Sequence, residues 1–203
     1  MSELQVVIPT VGRMSKRYLA VAAVAAATVL TTALPANAAP AQPLKFRNGL
    51  TLYIPIQWEV HRFGADVVQV VTGKCGKPQG WGTPQCDAFY LLGPKYIKIG
   101  AEGWGAYTGK SPFYTASDVQ PCPFNKKYGE IIGPKVTRGL RQVGEGHKAA
   151  YNAWQSTCVS YSSSKVYARF TQREWYLPKS KILIVDQWNT PGLSDALKYA
   201  DWT

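Results

Sequence analysis

Residues 165–188 read KVYARFTQREWYLPKSKILIVDQW, and their pattern predicts an antiparallel hairpin. Val166, Ala168 and Phe170 alternate with Tyr167, Arg169 and Thr171, the period-two mark of a strand with one face buried and the other wet. Pro178-Lys179-Ser180 interrupts the run with turn chemistry. Ile182-Leu183-Ile184-Val185 is apolar without alternation, as expected of a strand covered on both faces at the centre of a sheet.

Two further β-prone runs precede this hairpin, at 140–143 and 149–159, joined by Gly144-Glu145-Gly146 and Ser162-Ser163-Ser164. The last third therefore reads as a meander. After it, Thr190 is expected to cap a closing helix with Pro191 at its first position, and Leu193, Ala196, Leu197 and Ala200 make an apolar stripe over Trp202. Near the other end, Leu50-Thr51-Leu52-Tyr53-Ile54 and Ile56-Gln57-Trp58-Glu59-Val60 flank Pro55, which cannot donate to a ladder. They read as one broken strand, its second half burying Ile56, Trp58 and Val60. A turn at Phe63-Gly64-Ala65-Asp66 leads into Val67-Val68-Gln69-Val70-Val71. Residues 73–134 are rich in Gly and Pro, with short elements expected at 88–92 and 96–99. The remainder of 100–134 reads as a long ordered loop pinned by Trp104, Tyr107, Phe113, Tyr114 and Phe124. The fold class expected is α+β, mainly an antiparallel sheet with a C-terminal helix and long disulfide-bonded loops.

The first residues bear on destination. Arg13, Lys16 and Arg17 precede an apolar run over 18–34, followed by Pro35 and the small-x-small pattern Ala36-Asn37-Ala38. Those three parts make a cleavable secretory signal over 1–38, leaving one secreted domain over 39–203. The run is short and rich in Ala and Thr, so no stable membrane span is expected after cleavage. Met14, followed by Ser15-Lys16-Arg17, is an alternative start. Removing 1–38 takes away three of 23 basic and one of 12 acidic residues, which leaves a net charge of +9. Such a charge attracts anionic polymers through its long-range field.

All four cysteines, Cys75, Cys86, Cys122 and Cys158, lie after the signal. An even number in an oxidising compartment reads as two disulfides. Of three pairings, Cys75–Cys86 with Cys122–Cys158 is preferred, because the first pair brackets a Gly/Pro-rich loop. A metal site is not expected, since no C-x-x-C or H-x-x-x-H spacing occurs and His61 and His147 are the only histidines. No cofactor motif is present either, and G-x-x-x-x-G-K-[ST] is absent.

The wording Phe170-Thr171-Gln172-Arg173-Glu174-Trp175-Tyr176-Leu177-Pro178-Lys179-Ser180-Lys181-Ile182-Leu183-Ile184-Val185-Asp186, followed by Thr190-Pro191-Gly192-Leu193, resembles uncharacterised secreted proteins of actinobacteria over most of the mature chain. The opening Gly49-Leu50 with Pro55 and Trp58, the antiparallel sheet and the closing helix also resemble the Mog1/PsbP-like architecture, a sheet with helices packed on it. That second resemblance implies a binding or assembly role more than catalysis, by analogy of fold alone.

Ligand contacts are expected first at Trp81 and Trp104, in Gly-rich loops that a sheet core does not require, and then at Trp175 with the neighbouring Arg173. The function expected is a secreted or cell-envelope-associated, monomeric, non-enzymatic binding protein. Its partner would be an anionic cell-wall polymer or an envelope protein, and not nucleic acid, because no recognition module appears. The rival is an extracellular hydrolase with a site assembled from dispersed residues. It could draw on Ser180, His147 and Asp186, though no G-x-S-x-G elbow occurs, or on a carboxylate pair from Glu102, Asp118, Glu130, Glu174 and Asp186.

Overall fold

A computed structural model describes residues 40–203; the secretory signal read over 1–38 lies outside the described residues. The elements are β1 (Ala41–Lys45), β2 (Leu50–Pro55), β3 (Glu59–Arg62), β4 (Val67–Cys75), β5 (Cys86–Leu92), α1 (Pro94–Lys98), β6 (Pro121–Cys122), β7 (Asn125–Gln142), β8 (Lys148–Ser160), β9 (Val166–Leu177), β10 (Ile182–Asp186), α2 (Leu193–Lys198) and β11 (Asp201–Trp202). Eight strands form one antiparallel sheet in the order β3-β4-β5-β10-β9-β8-β7-β6, and three form a small one, β1-β2-β11.

The path of the chain explains that order. Strands β3 to β5 lay down one edge, the segment after β5 crosses to the opposite edge, and the meander β6 to β10 returns until β10 pairs with β5. The crossing segment, with α1, covers one face. The small sheet and α2 cover the other. Two cores follow. Leu44, Leu52, Ile54, Phe89, Trp175, Ile184, Leu193 and Leu197 pack on the small-sheet side, while Tyr90, Leu92, Ile97, Tyr107, Phe113, Leu183 and Val185 pack under the crossing segment. Successive strand residues point to opposite faces, so β10, shared by both cores, is buried at all its positions.

Both disulfides join the expected partners. Cys75–Cys86 closes the ends of β4 and β5, and Cys122–Cys158 ties β6 across β7 to β8. No helix among the described residues is long and apolar enough to cross a membrane.

Several expectations need correcting. The helices have five and six residues, so the architecture is strongly β-rich rather than α+β. The stretch read as a loop up to 134 already contains β7 from Asn125 onward. This strand is at or near the sheet edge, where few of its side chains are buried and the apolar alternation that marks a strand is lost. Pro134 sits in the register shift between Ile132 and Val136, where a missing N–H is tolerated. Pro55 does more than break a strand: Trp58 N–H donates to Pro55 O (3.0 Å) in a turn that sends β2 and β3 into different sheets, leaving Ile56 57% exposed. Helix α2 starts later than expected, with Gly192 as N-cap at φ 77°, a left-handed conformation that glycine adopts without strain. Thr190 instead turns its hydroxyl to Asp186 Oδ1 (3.1 Å).

Candidate functional site

The covering layers leave parts of β7, β8 and β9 open on both faces, and each face carries a concavity. On the small-sheet side the opening begins where β10 ends. Asp186 pairs with Arg173, so the earlier part of β9 has no partner on that edge among the described residues. A notch of about 530 Å³ results, lined by Tyr151, Arg169, Thr171, Arg173 and Trp188 among others. A depression of about 230 Å³ adjoins it, lined by Arg141, Tyr151, Ser194, Asp195 and Lys198 among others. Tyr151 lines both, so the two concavities adjoin and are together termed the groove.

Its charge follows from strand periodicity. Arg169, Thr171 and Arg173 share one face of β9 because they are two apart. Arg173 is held rigidly: its Nε donates to Asp186 Oδ2 (2.8 Å), its Nη2 reaches the same oxygen, and Nη2 also donates to Thr190 O (3.1 Å). Asp186 is fully buried and also accepts from Trp188 N–H (3.0 Å) and Thr190 N–H (3.1 Å). The guanidinium of Arg141 lies 4.7 Å above the Tyr151 ring and that of Arg173 5.4 Å above Trp175. Burial pushes the Tyr151 hydroxyl above its ordinary range, while Arg173 and Arg141 oppose that shift. Lining the groove are thus four cationic side chains against exposed Asp195, with buried Asp186 already paired to Arg173.

The other face holds a cleft of about 490 Å³, lined by Ala101, Glu102, Ser111, Pro112, Tyr114, Glu130, Ile131 and Ile132. Glu130, from β7, is 2% exposed and accepts from Gln120 Nε2 (2.5 Å) and Gln187 Nε2 (2.9 Å). Burial pushes its carboxyl up to about 7, opposed by those two amides. Gln187 Nε2 also donates to Gln172 Oε1 (2.8 Å), and Gln172 Nε2 to Glu174 Oε1 (2.8 Å). Glu174 is itself fully buried and accepts from Tyr107 Oη (2.6 Å), Phe113 N–H (2.7 Å) and Trp154 Nε1 (2.8 Å). Burial nevertheless raises its carboxyl. This chain of amides and carboxylates ties the crossing segment to the sheet, a buried hydrogen-bonded network of the kind that specifies one packing.

The tryptophans separate into three situations. Trp175 packs in the core yet also lines the depression beside Arg141 and Tyr151, and its neighbour Arg173 lines the adjoining notch. Trp81 is half-buried, its Nε1 donating to Thr115 Oγ1 (2.9 Å) and its ring set edge-on to Tyr90 and Phe113; it pins the crossing segment. Trp104 is 84% exposed. Ser180 and His147 line a common depression with Lys148 and Lys179, but no hydrogen bond joins them among the described residues. His147 instead stacks on Trp202 with Nδ1 at Glu145 O (2.9 Å), and Asp186 lies buried beneath Arg173. Of the five carboxylates considered, Glu102 and Glu130 share a cleft, whereas Asp118 binds within its own loop. Tyr151, Arg141 and Arg169 were not anticipated. The Arg169-x-Thr171-x-Arg173 stripe was a legible signal of a polar strand face, but what lies opposite it was not.

No family model matches the chain, and neither a curated protein nor a solved structure matches it.

Proposed function

We propose that residues 1–38 direct export and that the mature domain is a non-enzymatic binding protein of the extracellular space or cell envelope, holding a linear anionic polymer in the groove around Tyr151. The observation that carries this reading is that Arg141 and Lys198 line one concavity, Arg169 and Arg173 with Trp188 line another, and Tyr151 lines both. Paired guanidinium groups suit phosphate and carboxylate oxygens, and Arg173 enters the groove already oriented by Asp186. The two disulfides are compatible with an oxidising compartment, and the net charge of +9 on the mature chain draws a polyanion from a distance.

The test is retention of the purified mature protein on isolated cell envelopes and on immobilised long-chain polyphosphate. Retention on both is expected, released by rising salt because solvated charges are screened beyond about 8 Å at physiological ionic strength. The double substitution Arg141→Ala with Arg169→Ala is expected to weaken binding about tenfold, from two exposed ion pairs. Arg173 is left in place because it anchors Asp186. Retention indifferent to salt, or equal in the double variant, rejects the groove as the site.

A further inference from the structure

The cleft on the opposite face does not enter the polyanion reading, and its chemistry differs. Its polar lining is two carboxylates and two hydroxyls, Glu102, Glu130, Ser111 and Tyr114, set against the apolar surfaces of Ala101, Pro112, Ile131 and Ile132. No cationic side chain contributes to it, so a polyanion is the wrong occupant. The volume of about 490 Å³ lies within the range of about 300–1,000 Å³ usual for small-ligand sites.

Three features make it a built site. Glu130 is fixed from both sides: each oxygen holds one amide, Gln187 on Oε1 and Gln120 on Oε2, and each retains a lone pair for another donor. Beside it on β8, Ser156 faces the same side of the sheet, because Ser156 pairs with Ile132 and Cys158 with Glu130. Its hydroxyl is buried and has no hydrogen-bond partner among the described residues, a rare condition that calls for a reason. Third, the rim is a rigid turn. Ala101 N–H donates to Gly105 O (2.9 Å), Gly105 N–H to Ala101 O (3.0 Å) and Gly103 N–H to Ile99 O (3.1 Å). Glu102 is left-handed at φ 53° and Gly103 at φ 73°, and a Cβ on Gly103 would stand 3.0 Å from Thr115 O. Non-glycine residues held left-handed cluster at functional sites.

Trp104 stands on this turn, two residues from Glu102. A single exposed apolar residue is ordinary; a tryptophan 84% exposed on a hydrogen-bonded turn whose Ala101 and Glu102 line a carboxylate-bearing cleft is a different case. The indole offers a flat apolar face whose orientation costs little entropy to hold, and the cleft offers acceptors for hydroxyl donors. Few ligand classes present both an apolar face and a ring of hydroxyls. We propose that this cleft binds a saccharide, with a sugar ring stacked on Trp104 and its hydroxyls donating to Glu130 and Glu102. The cleft shares no lining residue with the groove, although Gln187, which holds Glu130, lines the notch on the other side, and the two readings are tested by different ligands and different substitutions.

The experiment is calorimetric and fluorescence titration of the mature protein with tetrasaccharides of β-1,4-linked glucose, mannose and N-acetylglucosamine, and with the diamine cadaverine as a cationic control. At least one saccharide is expected to bind with a change in tryptophan emission. Trp104→Ala is expected to weaken it about tenfold and Glu130→Gln about threefold or more, with thermal unfolding of Trp104→Ala unchanged because its side chain is exposed. Release of the saccharide by excess sodium polyphosphate would place both ligands in one site and overturn the assignment. So would saccharide binding that Trp104→Ala leaves intact, binding of cadaverine alone, or no response to any saccharide at about 10 mM.

Discussion

At Glu130 a carboxylate has been taken out of water with no salt-bridge partner among the described residues. Its two amide partners recover part of the lost hydration, but burial dominates and the carboxyl titrates near 7 instead of 4.5. The consequence for stability follows from proton linkage. Below about pH 4.5 the group is protonated whether the chain is folded or not, and the stabilisation relative to the ionised form is fully present. Between 4.5 and 7 the unfolded chain releases the proton while the folded one keeps it, so stability falls as pH rises, by up to about 3 kcal/mol. Glu102 and Tyr114 share the cleft wall, and Glu174, joined through Gln172 and Gln187, is shifted in the same direction. Urea denaturation at pH 5 and pH 8 checks this: Glu130→Gln should lose less stability than the unsubstituted chain between those two values. Equal losses would mean that the carboxyl titrates as if in water. The glutamate was visible in the sequence as one of 12 acidic residues; what singles it out is the amides of Gln120 and Gln187, 10 and 57 positions away.

Among the elements, β6 and the start of β7 depend most on covalent help. Strand β6 has two residues and pairs with β7 through a shifted register, too little ladder to hold an edge by itself. Cys122 is tied to Cys158 over a separation of 36 residues, against 11 for Cys75–Cys86. A closed loop constrains the unfolded chain more as it lengthens, at about 2–4 kcal/mol for typical bridges. Replacing Cys122 and Cys158 by Ser should therefore destabilise more than replacing Cys75 and Cys86, by urea denaturation under oxidising conditions. It should also loosen the segment that brings Gln120 to Glu130, seen as faster amide exchange around residues 118–122. The reverse ranking of the two pairs would argue against loop closure as the source. The exposed stretch of β7 beyond the β6 pairing carries Lys135, Arg138 and Arg141 with Gly133, Pro134 and Gly139, a composition that discourages edge-to-edge association. That same composition hid the strand from a reading based on apolar alternation, whereas β9 and β10 were legible because burial on one face or both imposes a period on the residue types.

Across the whole molecule, one sheet separates two cores. Leu197, on α2, belongs to the small-sheet core, and Ile97, on α1, to the core beneath the crossing segment. Leu197→Ala should cost about 2–5 kcal/mol and Ile97→Val about 0.5–1.5 kcal/mol. Since neither side chain shares a core with the other, the double variant should equal the sum to within about 0.5 kcal/mol, measured by urea denaturation; a larger discrepancy would show the two cores acting as one packed unit. What the sequence determined by itself were features written in neighbouring residues: the strands of the C-terminal meander, the apolar stripe of Leu193 and Leu197, and the parity and preferred pairing of the cysteines. The tertiary structure alone decided which tryptophan is free and which is core, which carboxylate sits in a cleft, and which arginines share a groove. A local pattern records only how a residue is partitioned between water and interior, and a strand keeps that record in its period of two. Who stands opposite depends on the crossing from β5 to the far edge and the return through β10, and that pairing of distant segments leaves no periodic trace in the chain.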